Sequence, residues 1–141
     1  MPSSDNATHI VRVPRQERTQ MAAILIVEDD MLICELAGMM ISDWGHDVIL
    51  AGDADEALSV IKSARLVDLL FTDIYLKAAI FGGCKLAQQA VRLRPNLPVI
   101  YTTGNSITEA LKAQFVAGSR FVRKPYAAAQ LQGFITDALP S

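Results

Sequence analysis

The sequence has few cysteines, few aromatic residues and no long apolar run. Its two cysteines, Cys34 and Cys84, lie in neither a C-x-x-C motif nor a cysteine–histidine cluster, which argues against a disulfide framework or a zinc site. The apolar runs are too short to span a bilayer. The first 20 residues carry three arginines and no apolar segment typical of a secretory signal. We therefore expect a cytoplasmic protein with no membrane partner.

An excess of positive charge is also absent. The 13 Lys and Arg residues face 15 Asp and Glu residues, and no long basic block occurs, so we expect no nucleic-acid partner. A chain of 141 residues suits one compact domain. We predict a flexible leader at 1–20, either a native extension or an expression remnant, followed by one domain at 21–141 with no output domain.

Short apolar runs alternate with segments of helical periodicity from residue 21 onward. The runs lie at 23–27, 48–51, 69–72, 99–102 and 121–122. They are continuously apolar, which is typical of strands buried on both faces. The alternation predicts five βα units, and hence an α/β fold in which helices cover both faces of a parallel sheet.

The helical periodicity also predicts which side chains face the core. Four large apolar residues share one face of the first helical segment: Leu32, Leu36, Met39 and Met40. We interpret the methionines as core residues. In the fourth helical segment, Ser106 and Glu109 have the spacing of a capping box, and Gly118 is predicted to end that segment.

Carboxylates cluster where two of the predicted strands end. Glu28 and Asp29 follow the first apolar run, and Asp73 follows the third. Ligands bind at the carboxyl ends of the strands in open α/β sheets, so these groups meet if the two strands are neighbours. Like charges at ~4 Å cost roughly 1 kcal/mol in water and about 4 kcal/mol at an effective dielectric of 20. A divalent cation removes that repulsion, and oxygen ligands at an open edge favour Mg²⁺.

Two further polar residues come at the same edge of the predicted sheet. Thr103 ends the fourth apolar run and Lys124 ends the fifth, and the bond from Lys124 to Pro125 is a candidate cis peptide. A carboxylate nucleophile, an acidic metal site, a hydroxyl and a cation are what phosphoryl transfer to an aspartate requires. Taken singly, the acids could cap a helix and the lysine could be an ordinary surface residue.

Four motifs together resemble the receiver domain of bacterial two-component response regulators. The motifs are VEDD, LLFTD, PVIYTTG and FVRKPY, and the resemblance covers the chain from residue 22 to about residue 139. It implies a flavodoxin-like, doubly wound (βα)5 fold with five parallel strands in the order 2-1-3-4-5. It also implies that Asp73 is the phosphoacceptor.

The resemblance further implies roles for the residues around Asp73. Asp29 and Asp73 would bind Mg²⁺ or Mn²⁺ directly, Glu28 would act through water, and the backbone carbonyl of Tyr75 would complete the metal site. Asp30 would cap the first helix. Three other residues would respond to the phosphoryl group, namely Thr103 by a hydrogen bond, Lys124 by an ion pair, and Phe121 as an aromatic switch. A plain core position is an equal alternative for Phe121.

The loop after Asp73 departs from the family pattern. Lys77 stands where the family usually has a proline, and Gly82 and Gly83 come late for the glycine that usually follows. The loop is therefore predicted to be longer than usual, and it contains several apolar residues. It could pack locally or form a docking surface, and our hypothesis is that it influences partner choice and the lifetime of the acyl phosphate.

The predicted function is that of a stand-alone receiver in a phosphorelay. A sensor histidine kinase or a phosphotransfer protein would supply the phosphoryl group, and an unidentified downstream protein would bind the modified chain. A homodimer through the fourth and fifth helices is a further partner that the family resemblance implies. The chain would not be an enzyme beyond self-catalysed transfer and hydrolysis. Two alternatives remain open, an interaction module that works without phosphorylation and a Mg²⁺-dependent phosphatase.

Overall fold

The computed structural model of the protein describes residues 21–77 and 79–140, and the predicted leader lies outside that range. Strands and helices alternate along the described chain. They are β1 (Ala23–Val27), α1 (Met31–Asp43), β2 (Asp47–Ala51), α2 (Ala54–Lys62), β3 (Leu69–Asp73), α3 (Gly82–Leu93), β4 (Val99–Thr103), α4 (Glu109–Lys112), β5 (Arg120–Arg123) and α5 (Ala128–Ala138). None of the helices in this part of the chain is long and apolar enough to cross a membrane.

The strands form one sheet in the order β2-β1-β3-β4-β5, and all neighbours are parallel. This confirms the predicted doubly wound, flavodoxin-like topology. β1 and β3 are adjacent, with Val27 aligned with Thr72 and Ile26 with Phe71. The carboxyl ends of these two strands therefore lie side by side, as predicted from the carboxylates that follow them.

Each face of the sheet covers its own hydrophobic core. Ile24 and Ile26 of β1 face a cluster that includes residues of α1 and α5, whereas Leu25 and Val27 face a cluster that includes residues of α2 and α3. All five residues of β1, β3 and β4 are buried. Burial on both faces explains why these strands are continuously apolar in sequence rather than alternating.

The prediction for the buried face of α1 is wrong. Leu32, Leu36 and Met39 are 65%, 54% and 64% exposed, and only Met40 of the predicted stripe is half-buried against the core. The buried residues are the smaller set Cys34, Ala37, Gly38 and Ile41. Small side chains allow α1 to approach β2 closely, since a Cβ atom added at Gly38 would lie 2.9 Å from Cδ2 of Leu50. Close approach to the sheet thus outweighs side-chain size in deciding which face is buried.

The prediction for the start of α4 is also wrong by two residues. The helix is a single turn whose N-cap is Thr108, and the Thr108 hydroxyl accepts a hydrogen bond from the Leu111 N–H at 3.1 Å. Ser106 precedes the helix and does not cap it. Serine and threonine are both common N-cap residues, so Ser106 and Thr108 both fit the cap pattern in sequence. The prediction that Gly118 ends this helix is wrong as well, because α4 ends at Lys112 with Ala113 as its C-cap, and Gly118 lies later, in the turn before β5, with φ of 76°.

Candidate functional site

Lys124 joins two carboxylates at the carboxyl edge of the sheet. Its Nζ atom donates hydrogen bonds to Oε1 of Glu28 at 2.7 Å and to Oδ2 of Asp73 at 3.0 Å. β1, β3 and β5 end at this edge, and each strand supplies one of the three residues at or just past its end. Glu28 and Asp73 are 6% and 9% exposed, so the ion pairs are shielded from solvent. The structure therefore brings together three residues that the sequence placed at one edge.

Burial and ion pairing both shift the pKa values of Glu28 and Lys124. Burial raises the pKa of Glu28 above its ordinary value, and the hydrogen bonds from Lys124 and from the Asp30 N–H offset part of that rise. Burial is the largest single effect on Lys124 and lowers its pKa, but the hydrogen bonds and the negative charges of Glu28 and Asp73 together outweigh burial, so the pKa is raised. Lys124 is accordingly a fixed positive charge beside Asp73 at neutral pH. The peptide bond from Lys124 to Pro125 is cis, which confirms that prediction.

Asp30 and Asp29 follow Glu28 but have different partners. Asp30 is the N-cap of α1 and accepts a hydrogen bond from the Ile33 N–H at 3.1 Å, as expected. Asp29 is half-buried, and its Oδ2 atom accepts a hydrogen bond from the backbone N–H of Lys77 in the loop after β3. Asp29 is thus hydrogen-bonded to the loop after β3, whereas Glu28 is paired with Lys124.

The two threonines at the end of β4 have different surroundings. The Thr103 hydroxyl accepts a hydrogen bond from the Asn105 N–H at 3.2 Å, and its carbonyl accepts one from the Lys124 N–H at 2.9 Å. Thr102 is aligned with Asp73 in the sheet. Its buried Oγ1 atom has no hydrogen-bond partner among the described residues. Thr102 and Asp73 line the same small cavity, of about 10 Å³, with Tyr126. From the sequence, Thr102 is predicted to be an ordinary strand residue, and Tyr126 has no predicted role.

Phe121 lies at the end of a column of aromatic rings. Its ring is 6.4 Å from that of Phe115, which stacks on Tyr101 at 4.4 Å between centroids. Tyr101 is fully buried, and its hydroxyl accepts a hydrogen bond from the Val116 N–H at 3.1 Å. Phe121 is half-buried and packs against the core, so both the switch role and the core role remain predictions.

The loop after Asp73 leads into α3, whose second residue, Gly83, lies very close to β3. A Cβ atom added at Gly83 would lie 1.9 Å from the carbonyl oxygen of Asp73, and the Gly83 N–H donates to the carbonyl of Ile74 at 2.9 Å. Only glycine fits where α3 begins so close to β3. The predicted local packing is present, since Leu76 is buried and the ring of Tyr75 lies 6.0 Å from that of Phe81. Ile80, at 70% exposure, leaves the loop with an apolar surface as well.

The donor set at this edge fits Mg²⁺ but not a closed metal cage. Residues 21–77 and 79–140 contain no group of three or more His, Cys, Asp or Glu side chains arranged to hold a metal. Glu28 and Asp73 share Lys124 instead, and Asp29 directly follows Glu28 in sequence. Mg²⁺ is commonly bound through one or two carboxylates and keeps several waters. Asp29 and Asp73 are the two carboxylates predicted for such a site, and their role as ligands stays a prediction, as does that of the Tyr75 carbonyl.

The sheet order and the acidic edge define a receiver-type α/β domain. The model of the response regulator receiver domain family matches residues 24–136, and this chain belongs to that family. Over 109 residues it is 35% identical to the nitrogen assimilation regulatory protein NtrX of Azorhizobium caulinodans, covering 77% of this chain and 24% of that protein.

Two solved structures extend the similarity. The receiver domain of NtrX from Brucella abortus is 33% identical with a TM-score of 0.72, and the match covers 82% of this chain and 97% of that domain. A CheY-like receiver domain protein from Methanospirillum hungatei is 28% identical with a TM-score of 0.74, with 83% and 92% of the two chains covered. The chain spans about a quarter of the length of the curated relatives it matches, so the stand-alone organisation stays a prediction.

Proposed function

We propose that this chain accepts a phosphoryl group on the carboxylate of Asp73. The observation that carries the proposal is the contact between Lys124 and Asp73 at 3.0 Å, at the edge where Glu28, Asp29 and Thr103 also lie. The donor would be a phosphohistidine of a sensor histidine kinase or of a phosphotransfer protein, the partners implied by the receiver family. A cytoplasmic location is part of the same proposal.

Each residue of the site would have its own role in the phosphoryl transfer. Asp73 attacks phosphorus, so an oxygen–phosphorus bond forms while the nitrogen–phosphorus bond breaks and the donor imidazole leaves. Lys124 neutralises charge on the phosphoryl oxygens as it leaves Glu28, and the Thr103 hydroxyl donates a hydrogen bond to one of them. Asp29 and Asp73 would hold Mg²⁺, with Glu28 nearby. Bound there, the ion would neutralise the acids and the incoming phosphoryl oxygens.

The chain would act once per phosphoryl group rather than as an enzyme with a separate substrate. The acyl phosphate adds nearly two negative charges at the edge, and its hydrolysis would return Asp73 to its starting state. Thr103 and Lys124 would move toward the new charge, and β4 and β5 would transmit that movement to α4 and α5. A downstream protein, or a second copy of the chain, would then recognise the altered surface.

Intact-protein mass spectrometry tests the proposal directly. After incubation with Mg²⁺ and acetyl phosphate, we expect one phosphoryl adduct on the wild type and none on Asp73→Asn. Chelation of Mg²⁺ should also abolish the adduct. If the wild type forms no adduct and binds no Mg²⁺, the phosphorylation-independent interaction module becomes the better description. Turnover of a phosphate ester far beyond one equivalent would instead support the phosphatase alternative.

A further inference from the structure

The described part of the loop that joins β3 to α3 makes contacts of its own. Residues 74–77 and 79–81 are that part, here called the β3–α3 loop, and the side chain of Leu76 is buried in the core. The Ala79 N–H donates to the carbonyl of Leu76 at 2.9 Å, and the Gly82 N–H donates to that of Ala79 at 3.1 Å. These two hydrogen bonds and the burial of Leu76 anchor the described backbone on both sides of Lys77.

Lys77 presents a donor that the usual residue at its position lacks. Proline has no backbone N–H, whereas the N–H of Lys77 donates to Oδ2 of Asp29. The two residues are 48 positions apart in sequence, so the contact joins the β1 side of the acidic edge to the β3 side. The lysine side chain is exposed and takes no part in the contact.

We propose that the backbone N–H of Lys77 positions the Asp29 carboxylate for the divalent cation. The inference rests on the proposed function, because that function supplies the cation. A carboxylate has two oxygens, and a hydrogen bond to Oδ2 fixes the plane of the group while Oδ1 remains available as a metal ligand. It also keeps Asp29 close to the chain segment that carries Asp73 and Tyr75, the other two predicted ligands.

The hydrogen bond from Lys77 to Asp29 should therefore raise the affinity of the site for Mg²⁺. Groups that hydrogen-bond a metal-ligating side chain orient it before the ion binds. Their removal commonly weakens metal binding by about 10- to 100-fold. Without the N–H, Asp29 would rotate freely at the half-exposed edge and would lose that orientation. Lys77 is in this sense a positioning residue for the metal site.

Calorimetric titration of Mg²⁺ into the wild type and two Lys77 variants tests this positioning role. Lys77→Pro removes the N–H and the charge, whereas Lys77→Ala removes the charge and keeps the N–H. We expect the dissociation constant of Lys77→Pro to be about tenfold higher than that of Lys77→Ala. Lys77→Ala should bind Mg²⁺ at least as tightly as the wild type, because a positive charge near the cation is lost. Equal affinities for the two variants, or tighter binding by Lys77→Pro, would overturn the inference.

Hydrogen exchange of the wild type gives a second test that does not depend on the proline variant folding. The Lys77 amide should exchange slowly without Mg²⁺ and more slowly when Mg²⁺ is saturating, because the metal fixes its acceptor. Rapid exchange of this amide in both conditions would also overturn the inference. Urea unfolding without Mg²⁺ checks that Lys77→Pro and Lys77→Ala fold equally well.

The same experiments separate this inference from the proposed function. If only the inference fails, all three proteins bind Mg²⁺ alike and the wild type still forms the Asp73 adduct. If the proposed function fails, the wild type takes up neither Mg²⁺ nor a phosphoryl group, and the inference falls with it.

Discussion

The ammonium group of Lys124 and the carboxylate of Glu28 lie 2.7 Å apart, although 96 positions separate the two residues in sequence. Glu28 is the more buried partner, and the same ammonium group also contacts Asp73. The cluster thus contains two acids and one base, so its net charge stays negative when all three groups are ionised. Removing the lysine would leave two buried carboxylates without a cation.

Lys124→Met should therefore destabilise the protein strongly when Mg²⁺ is absent. Removing one partner of a buried ion pair lowers the free energy of unfolding by about 3 kcal/mol, because the remaining charge stays buried without a partner. Part of the loss should be recovered when Mg²⁺ is added, since the metal then compensates the acids. The matched control is Lys112→Met, which breaks the exposed pair with Glu109 and should change the free energy of unfolding by less than about 0.5 kcal/mol. Urea unfolding with and without Mg²⁺ measures the stability of both variants. Equal losses of stability would contradict the assignment of Lys124 to a buried ion-pair cluster.

Gly83→Ala should destabilise the fold at the start of α3. The new methyl group would meet the Asp73 carbonyl oxygen at 1.9 Å, so the helix or the strand must move, at a cost of about 3 kcal/mol. Gly133→Ala in α5 is the control, because its Cβ atom would meet nothing within 4 Å. That change should stabilise the helix by about 0.5–1 kcal/mol. Thermal unfolding of both variants checks the opposite signs.

Met39→Gln should leave the stability of the protein nearly unchanged, although the sequence pattern assigned Met39 to the core. Its side chain is 64% exposed, so little apolar area returns to water. Ile41→Ala in the same helix removes a fully buried side chain and should cost about 2–5 kcal/mol. A loss of more than about 1 kcal/mol for Met39→Gln would show that the buried face of α1 is the one expected from the sequence.

The stability of the protein should fall in mild acid through His46. The buried imidazole accepts a hydrogen bond from the Ala22 N–H at 3.1 Å, and burial lowers its pKa below the ordinary 6.5 despite the nearby Asp47. The unfolded chain then binds the proton more readily than the folded chain. The contribution is complete above about pH 6.5 and is lost as the pH falls through the folded pKa.

Comparison with His46→Gln isolates this contribution, because other groups titrate alike in both proteins. The difference in free energy of unfolding between the wild type and the variant should be larger at about pH 8 than at about pH 5. A difference that does not change with pH would show that His46 does not titrate in this range.

The fold was predictable because burial on both faces leaves a plain trace in the sequence. Continuous apolar runs such as that of β1 located the strands, and the acids after β1 and β3 located the site. The face of α1 was not predictable from side-chain size, because Gly38 and Ala37 let the helix approach Leu50 closely. Periodicity alone does not distinguish a stripe of large exposed residues from a stripe of small buried ones.

The hydrogen bond from Lys77 to Asp29 could not be predicted for a different reason. Every residue except proline carries a backbone N–H, so the donor has no signature of its own. The missing proline was visible, but the turn that directs the N–H toward Asp29 depends on Leu76 and Ala79 packing in three dimensions. The close approach of Gly83 to Asp73 likewise selects one of two adjacent glycines that look equivalent in sequence.

The order of the strands has a consequence for how the chain assembles during synthesis. β1 pairs with β2 and then with β3, β4 adds to β3, and β5 adds to β4. Every strand after the first therefore meets a partner that has already been translated. The pairing edges therefore become available in order as the chain leaves the ribosome, but the core that covers Ile24 and Ile26 is complete only once α5 is present, so we expect the domain to fold as a unit. Full protease resistance should therefore appear only in nascent chains in which α5 has left the ribosome.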